Sequence, residues 1–160
     1  MTTCNLLFRL FLAAGLLVVV HSVSAQHYDR IEIAGAYEGG PAFDLSVRCS
    51  RYPSHRRSSA THFWGGDSPN FTPSYIVSNM SLKLDQHRIA IPREAFADLG
   101  DVLVPSVDVN ADTGDVHIDW SGGDAAGSYR AVFTFRHYRL VRREVFAYLA
   151  KEPSEVRQFP

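Results

Sequence analysis

The stretch Asp115–Phe146 reads DVHIDWSGGDAAGSYRAVFTFRHYRLVRREVF, and it decides the fold class. Its first six residues alternate in polarity, with Val116, Ile118 and Trp120 on one face, which is the period of a half-buried strand. A Gly-rich loop follows, and a second alternating run then places its aromatic residues on one face. A short connection near His137 leads into a third apolar run. This pattern predicts a three-strand antiparallel meander, which is stable only when its aromatic face is buried against other strands.

The chain before this meander carries further short runs with strand character. They cover residues 27–37, 42–50, 75–85, 88–91, 102–104 and 106–110, the last two interrupted by Pro105. One short helix is expected over Arg93–Leu99, because Pro92 suits a helix start and Gly100 a helix end. The sequence therefore predicts a mainly β protein, an antiparallel β-sandwich or small barrel of about eight strands with one short helix.

The N-terminus has the features of a signal peptide. Leu10–Val20 is an unbroken apolar run, and it is followed by the small-x-small pattern Val23-Ser24-Ala25. The run is shorter than the roughly 20 residues that cross a bilayer, which favours a cleaved signal over a membrane anchor. We expect residues 1–25 to be removed and the mature protein to be exported, either periplasmic or secreted, with no membrane span. Residues 26–150 then form a single all-β domain, and the polar residues 151–160 are expected to be a loosely held tail.

Charge and cysteine content narrow the possible partners. Loss of Arg9 with the signal leaves 15 basic against 17 acidic residues, and this near-neutral balance argues against nucleic acid as a partner. Cys4 lies in the signal segment, so the domain keeps one cysteine and has no disulfide framework. Cys49 follows the apolar side of the second predicted strand, which predicts a buried, inert thiol.

Two irregular loops, residues 51–74 and 121–128, are the candidates for a binding site. Residues 51–74, RYPSHRRSSATHFWGGDSPNFTPS, show no periodicity, and long irregular loops in compact domains are commonly functional. The order His, Trp, Gly-Gly-Asp, Ser-Tyr occurs in this loop and again from His117 to Tyr129, either as a trace of duplication or by chance. Aromatic and arginine side chains are enriched in binding hot spots. The predicted contact residues are Arg56, Arg57, Trp64, Asp67 and Asp124.

The sequence favours a non-enzymatic binding module for a protein or glycan of the cell envelope. It lacks a Gly-x-Ser-x-Gly elbow and histidines at zinc spacing, so no catalytic residue, cofactor or metal is assigned. One alternative is a small secreted hydrolase that pairs a histidine with a carboxylate. Its candidate residues are His62, His117, Asp67, Asp119 and Asp124.

A further alternative is a calcium-stabilised structural domain. Asp108, Asn110, Asp112 and Asp115 have the oxygen ligands that a hard cation needs, but their register does not match a calcium loop. The same residues are typical of a hairpin turn, with Gly114 in the left-handed conformation.

Overall fold

The structure is a computed structural model, and it describes residues 16–20, 29–37, 40–52, 63–64, 73–110, 113–123 and 127–160. These residues form strands and very little helix. The strands are β1 Leu16–Val20, β2 Arg30–Tyr37, β3 Ala42–Arg51, β4 Tyr75–Leu84, β5 His87–Ile89, β6 Ser106–Val109, β7 Val116–Gly122, β8 Tyr129–Arg136, β9 Arg139–Ala147 and β10 Glu155–Gln158. Within the described ranges, no helix is long and apolar enough to cross a membrane.

The strands form two antiparallel sheets, and each sheet is a simple meander. The N-terminal sheet has the order β1-β2-β3-β4-β5, and the C-terminal sheet has the order β6-β7-β8-β9-β10. Residues from both sheets contribute to one buried apolar cluster. The mainly β, antiparallel sandwich predicted from the sequence is confirmed.

Strand β1 lies inside the segment predicted to be a signal peptide. It pairs with β2 in antiparallel register, from Leu16 opposite Tyr37 to Val20 opposite Ile33. Without β1 the sheets have four and five strands, nine in all. Cleavage after Ala25 stays a prediction, and it would leave β2 as an edge strand.

The meander predicted from residues 115–146 is present as β7, β8 and β9. Its predicted inward residues are buried, and Trp120 and Phe133 are fully enclosed. Trp120 is therefore a core residue, as its alternation with Val116 and Ile118 predicts. Cys49 differs slightly from expectation, because a β-bulge after Arg48 leaves it partly buried at the edge of the core.

The segment between the two sheets contains less helix than expected. Only Arg93–Ala95 form a single 3-10 turn, and the remainder of the predicted helix over 93–99 is turn and irregular backbone. Gly100 and Val102 then form isolated bridges to β4 and β7 respectively. This segment therefore ties the two sheets together.

Residues 151–160 differ from the expected loosely held tail. Glu155–Gln158 form strand β10, paired with β9, and Arg157 donates to the Glu94 carbonyl at 2.7 Å. Arg143 of β9 lies opposite Arg157 of β10. It is fully buried, and its guanidinium is 2.9 Å from an Asp98 carboxylate oxygen. The pairing with β9, the ion pairs of this cluster and the packing of Phe159 against the core together hold the tail.

The predicted hairpin turn before β7 is confirmed. Gly114 has a φ of 69°, in the left-handed region, and its amide donates to the Asn110 carbonyl at 2.8 Å. The Asn110 side chain accepts from the Thr113 amide at 3.1 Å, which is an Asx-type turn.

Candidate functional site

The outer face of the C-terminal sheet carries the candidate site. Strand register places Ser121, Arg130 and Phe146 in one row across β7, β8 and β9. The next row on the same face holds Asp119 and Val132. The rows thus bring charged, aromatic and aliphatic side chains together from three strands.

Arg130 is the centre of this surface. Its Nε donates to Asp119 Oδ2 at 2.7 Å, and its Cζ lies 5.4 Å from the centre of the Phe146 ring. The hydrogen bond to Asp119 raises the pKa of Arg130. The guanidinium is therefore fixed by an ion pair on one side and a cation–π contact on the other.

An apolar groove of about 320 Å³ opens on one side of Arg130. Its walls come from the end of β7, the end of β9 and the segment between the sheets. Leu103 is 53% exposed and Tyr148 is 55% exposed, while Leu149 is 82% exposed. Large apolar side chains grouped in this way mark interaction surfaces more often than isolated exposed ones do.

The turn after β9 presents Leu149 with an unusual backbone. Leu149 has a φ of 57°, a conformation that favours glycine, and the turn is closed by the Ala150 amide donating to the Ala147 carbonyl at 3.0 Å. A leucine at this position has two costs for stability, because its backbone is strained and its apolar side chain is exposed to water. Neither cost is offset by packing within the described chain, which suggests that the side chain has a role at the surface.

Gly122 and Tyr129 both line the apolar groove. A Cβ atom at position 122 would overlap the hydroxyl and ring of Tyr129. Tyr129 lies across this point and donates to the Gly100 carbonyl at 3.0 Å. Gly122 thus leaves the space that the buried Tyr129 side chain occupies.

A polar groove of about 480 Å³ lies on the other side of Arg130. Asp108 of β6 is directly opposite His117 of β7, and Asp119 follows on the same face. Val132 and the ring of Tyr37 complete the lining. Burial, together with the charge of Asp108, raises the pKa of Tyr37. Arg130 lines both grooves, so they form one continuous surface.

Of the five predicted contact residues, only Trp64 lies among the described residues. Arg56, Arg57, Asp67 and Asp124 lie outside them. The Trp64 amide donates to the Asp98 carbonyl at 2.9 Å, and its ring lies 6.4 Å from that of Tyr129. Trp64 is thus half-buried against the core and does not stand on an open loop surface.

The residues of the hydrolase hypothesis are only partly brought together. His62, Asp67 and Asp124 lie outside the described residues, while His117 and Asp119 line the polar groove. His117 Nδ1 is 3.3 Å from Thr134 Oγ1, and Asp119 is held by Arg130. Within the described ranges, His117 has no hydrogen bond to a carboxylate.

The residues of the calcium hypothesis are engaged in other contacts. Asp115 is buried and accepts three hydrogen bonds from Arg136 Nε and Nη2, the shortest at 2.6 Å. Asp108 Oδ1 accepts from the Val109 amide at 2.9 Å, and Asp112 lies outside the described residues. In the part of the chain that the structure describes, no three His, Cys, Asp or Glu residues are grouped to hold a metal ion.

Sequence reasoning did not select the residues that dominate this surface: Leu103, Arg130, Phe146, Tyr148 and Leu149. One available signal was the run Phe146-Ala-Tyr-Leu-Ala150, which stays apolar after the strand has ended. A turn made of such residues is unusual, because turns favour Gly, Asn, Asp, Pro and Ser.

Comparisons with known proteins find no matching family model, no similar curated protein and no similar solved structure.

Proposed function

We propose that this protein is an exported, non-enzymatic binding module that docks a partner protein on the outer face of its C-terminal sheet. The observation that carries the proposal is the apolar groove beside Arg130, with Tyr148 and Leu149 exposed at its rim. An apolar side chain of the partner would fill this groove and remove these residues from water.

The chemistry of the groove favours a protein partner over a glycan. Most of its accessible surface is apolar, and Leu103, Ala147, Leu149 and Ala150 in its lining have side chains that offer no hydrogen bonds to sugar hydroxyls. The Arg130 guanidinium lies over one face of the Phe146 ring, which removes that face from sugar stacking. Arg, Tyr and Phe beside aliphatic residues are the composition of a protein–protein hot spot.

Export is the second part of the proposal, and it is supported by the apolar run and the small-x-small pattern before Gln26. Mass spectrometry of the protein purified from its source should give a chain that begins at Gln26. A chain that retains residues 16–20 in the cytoplasm would contradict export but would leave the groove unchanged.

The docking site is tested by affinity capture with three versions of the protein. Wild type is compared with Leu149→Ser and with Val156→Ser, a matched control that removes an exposed valine from β10 of the same sheet. The proposal expects a partner held by wild type and Val156→Ser and lost by Leu149→Ser. A partner held equally by all three proteins would move the site away from the groove. An empty capture followed by glycan binding would contradict a protein partner.

A further inference from the structure

We infer that the polar groove is a receptor for a basic side chain, Lys or Arg, of the docked partner. This inference rests on the proposed docking function and deepens it, because it specifies the chemistry of the partner next to its apolar anchor. The two parts of the partner would lie on either side of Arg130, which lines both grooves.

The charges of the groove favour a cation. Two carboxylates, those of Asp108 and Asp119, line it. Arg130 lies 2.6 Å from Asp119 and compensates that charge. Asp108 has no ion pair with any Lys or Arg of the described chain, and its side chain is exposed. Among the described residues, the groove therefore keeps one negative charge without an ion-pair partner.

The shape of the groove suits the remainder of a basic side chain. Lys and Arg bury an aliphatic stem along apolar surface while the charged head stays near polar groups. Val132 and the Tyr37 ring supply apolar walls, and Ser106 and His117 lie beside Asp108 with further polar atoms. A volume of about 480 Å³ admits a whole side chain, not the charged head alone.

The position of Asp108 makes this carboxylate available. Only one of its oxygens, Oδ1, accepts a main-chain hydrogen bond, from the Val109 amide. A carboxylate oxygen has more than one acceptor site, and Oδ2 is the atom expected to meet the cation. A charge-assisted contact of this kind discriminates strongly against a neutral side chain of the same length.

Small probes test this inference without any partner protein. N-acetyl-lysine amide and N-acetyl-arginine amide are titrated into isotope-labelled protein, and N-acetyl-norleucine amide is the uncharged control. We expect saturable NMR shifts at Asp108, His117 and Val132 with at least one cationic probe, and affinity at least tenfold weaker for norleucine. Equal shifts with all three probes, or shifts elsewhere on the chain only, would overturn the inference.

Two matched variants complete the test. Asp108→Asn should weaken cation binding at least tenfold, whereas Asp44→Asn should not, because Asp44 is an exposed aspartate of the other sheet near Lys83. The same variants are then compared in partner capture. Capture lost in Leu149→Ser but unchanged in Asp108→Asn would overturn the basic-residue receptor while the docking function stands. Capture unchanged in Leu149→Ser would count against the docking function itself, whatever the small probes show.

Discussion

The Arg130 guanidinium is fixed above the Phe146 ring, with its Cζ atom 5.4 Å from the ring centre. These residues come from β8 and β9 and face each other only because of a β-bulge between Thr134 and Phe135. Before the bulge, the turn pairs Arg136 with Arg139, and continuing that register would place Arg130 opposite Val145. A shift of one residue changes the face of every side chain beyond it. The bulge therefore creates the contact at the centre of the proposed docking surface.

The strained turn predicts that replacing Leu149 with glycine stabilises the fold and weakens docking of the partner. Leu149→Gly should raise the free energy of unfolding by about 0.5–1 kcal/mol, because glycine adopts positive φ without steric cost. The neighbouring Tyr148→Gly is the control, and it should destabilise, because Tyr148 does not have a positive φ. Chemical denaturation of wild type and the two variants measures both changes in the free energy of unfolding. A Leu149→Gly protein that is less stable than wild type would show that Leu149 is needed for folding and not for docking.

The buried charge cluster predicts a large difference between two adjacent arginines. Arg143 is fully buried and meets Asp98 and Glu155, whereas Arg142 is part-exposed and pairs with Glu144 at 2.7 Å. Arg143→Ala should cost about 3–5 kcal/mol, because it removes a fully buried guanidinium and leaves Asp98 and Glu155 with only the part-exposed Arg157 as a partner. Arg142→Ala should cost at most about 1 kcal/mol. Equal losses in urea denaturation would mean that the cluster does not hold β10 in place.

The Arg136–Asp115 pair predicts a pH-dependent contribution to stability. The hydrogen bond from Arg136 lowers the pKa of Asp115. The stabilisation is therefore present above the unfolded pKa, about 3.9, and is lost as the pH falls through the folded value. Arg136→Gln should lower the free energy of unfolding at pH 7, and the loss should be small because half of the Arg136 side chain is in water.

Denaturation of wild type and Arg136→Gln between pH 7 and pH 3 measures this effect, and the difference should shrink below about pH 4. Arg88→Gln is the control, because Arg88 is exposed on β5 and has no ion pair with any described residue. A difference between Arg136→Gln and wild type that stays constant to pH 3 would show that the pair does not carry it.

Cys49 should be a slow nucleophile. Burial, with the charges of Asp29 and Asp101, raises the pKa of Cys49 to about 11. In a Cys4→Ser background, alkylation at pH 8 should be about one-hundredth as fast as that of a free thiol. Only the thiolate reacts, and at a fixed pH its fraction falls about tenfold for each unit by which the pKa is raised. The rate should still rise between pH 9 and pH 10. A rate that levels off near pH 9 would contradict the raised pKa.

The sequence predicted the fold where polarity alternates strictly. The period-two patterns of β7 and β8 and the Asn110–Gly114 turn chemistry led directly to the meander and its core. Strand β10 was missed because Glu155 and Arg157 have no apolar face, and the strand is held by a charge cluster whose partners lie far away in sequence. Local patterns carry no information about such long-range ion pairs.

The site was harder to predict than the fold. Asp119, Arg130 and Phe146 meet only through strand register and a bulge, which no local pattern specifies. The positive φ of Leu149 is also invisible in the sequence, since a leucine gives no sign of a left-handed turn. Trp64 was predicted as a contact residue from the composition of its loop. Composition does not distinguish a half-buried ring from an exposed one.

Hydrogen–deuterium exchange with and without the captured partner tests the docking claim most directly. We expect slower exchange at residues 121–123 and 146–150, which line the apolar groove, and unchanged exchange in the N-terminal sheet. The Leu149→Ser protein should show no such protection at the same partner concentration. Protection confined to β2–β5, or protection that survives Leu149→Ser, would contradict the claim that the groove beside Arg130 is where the partner binds.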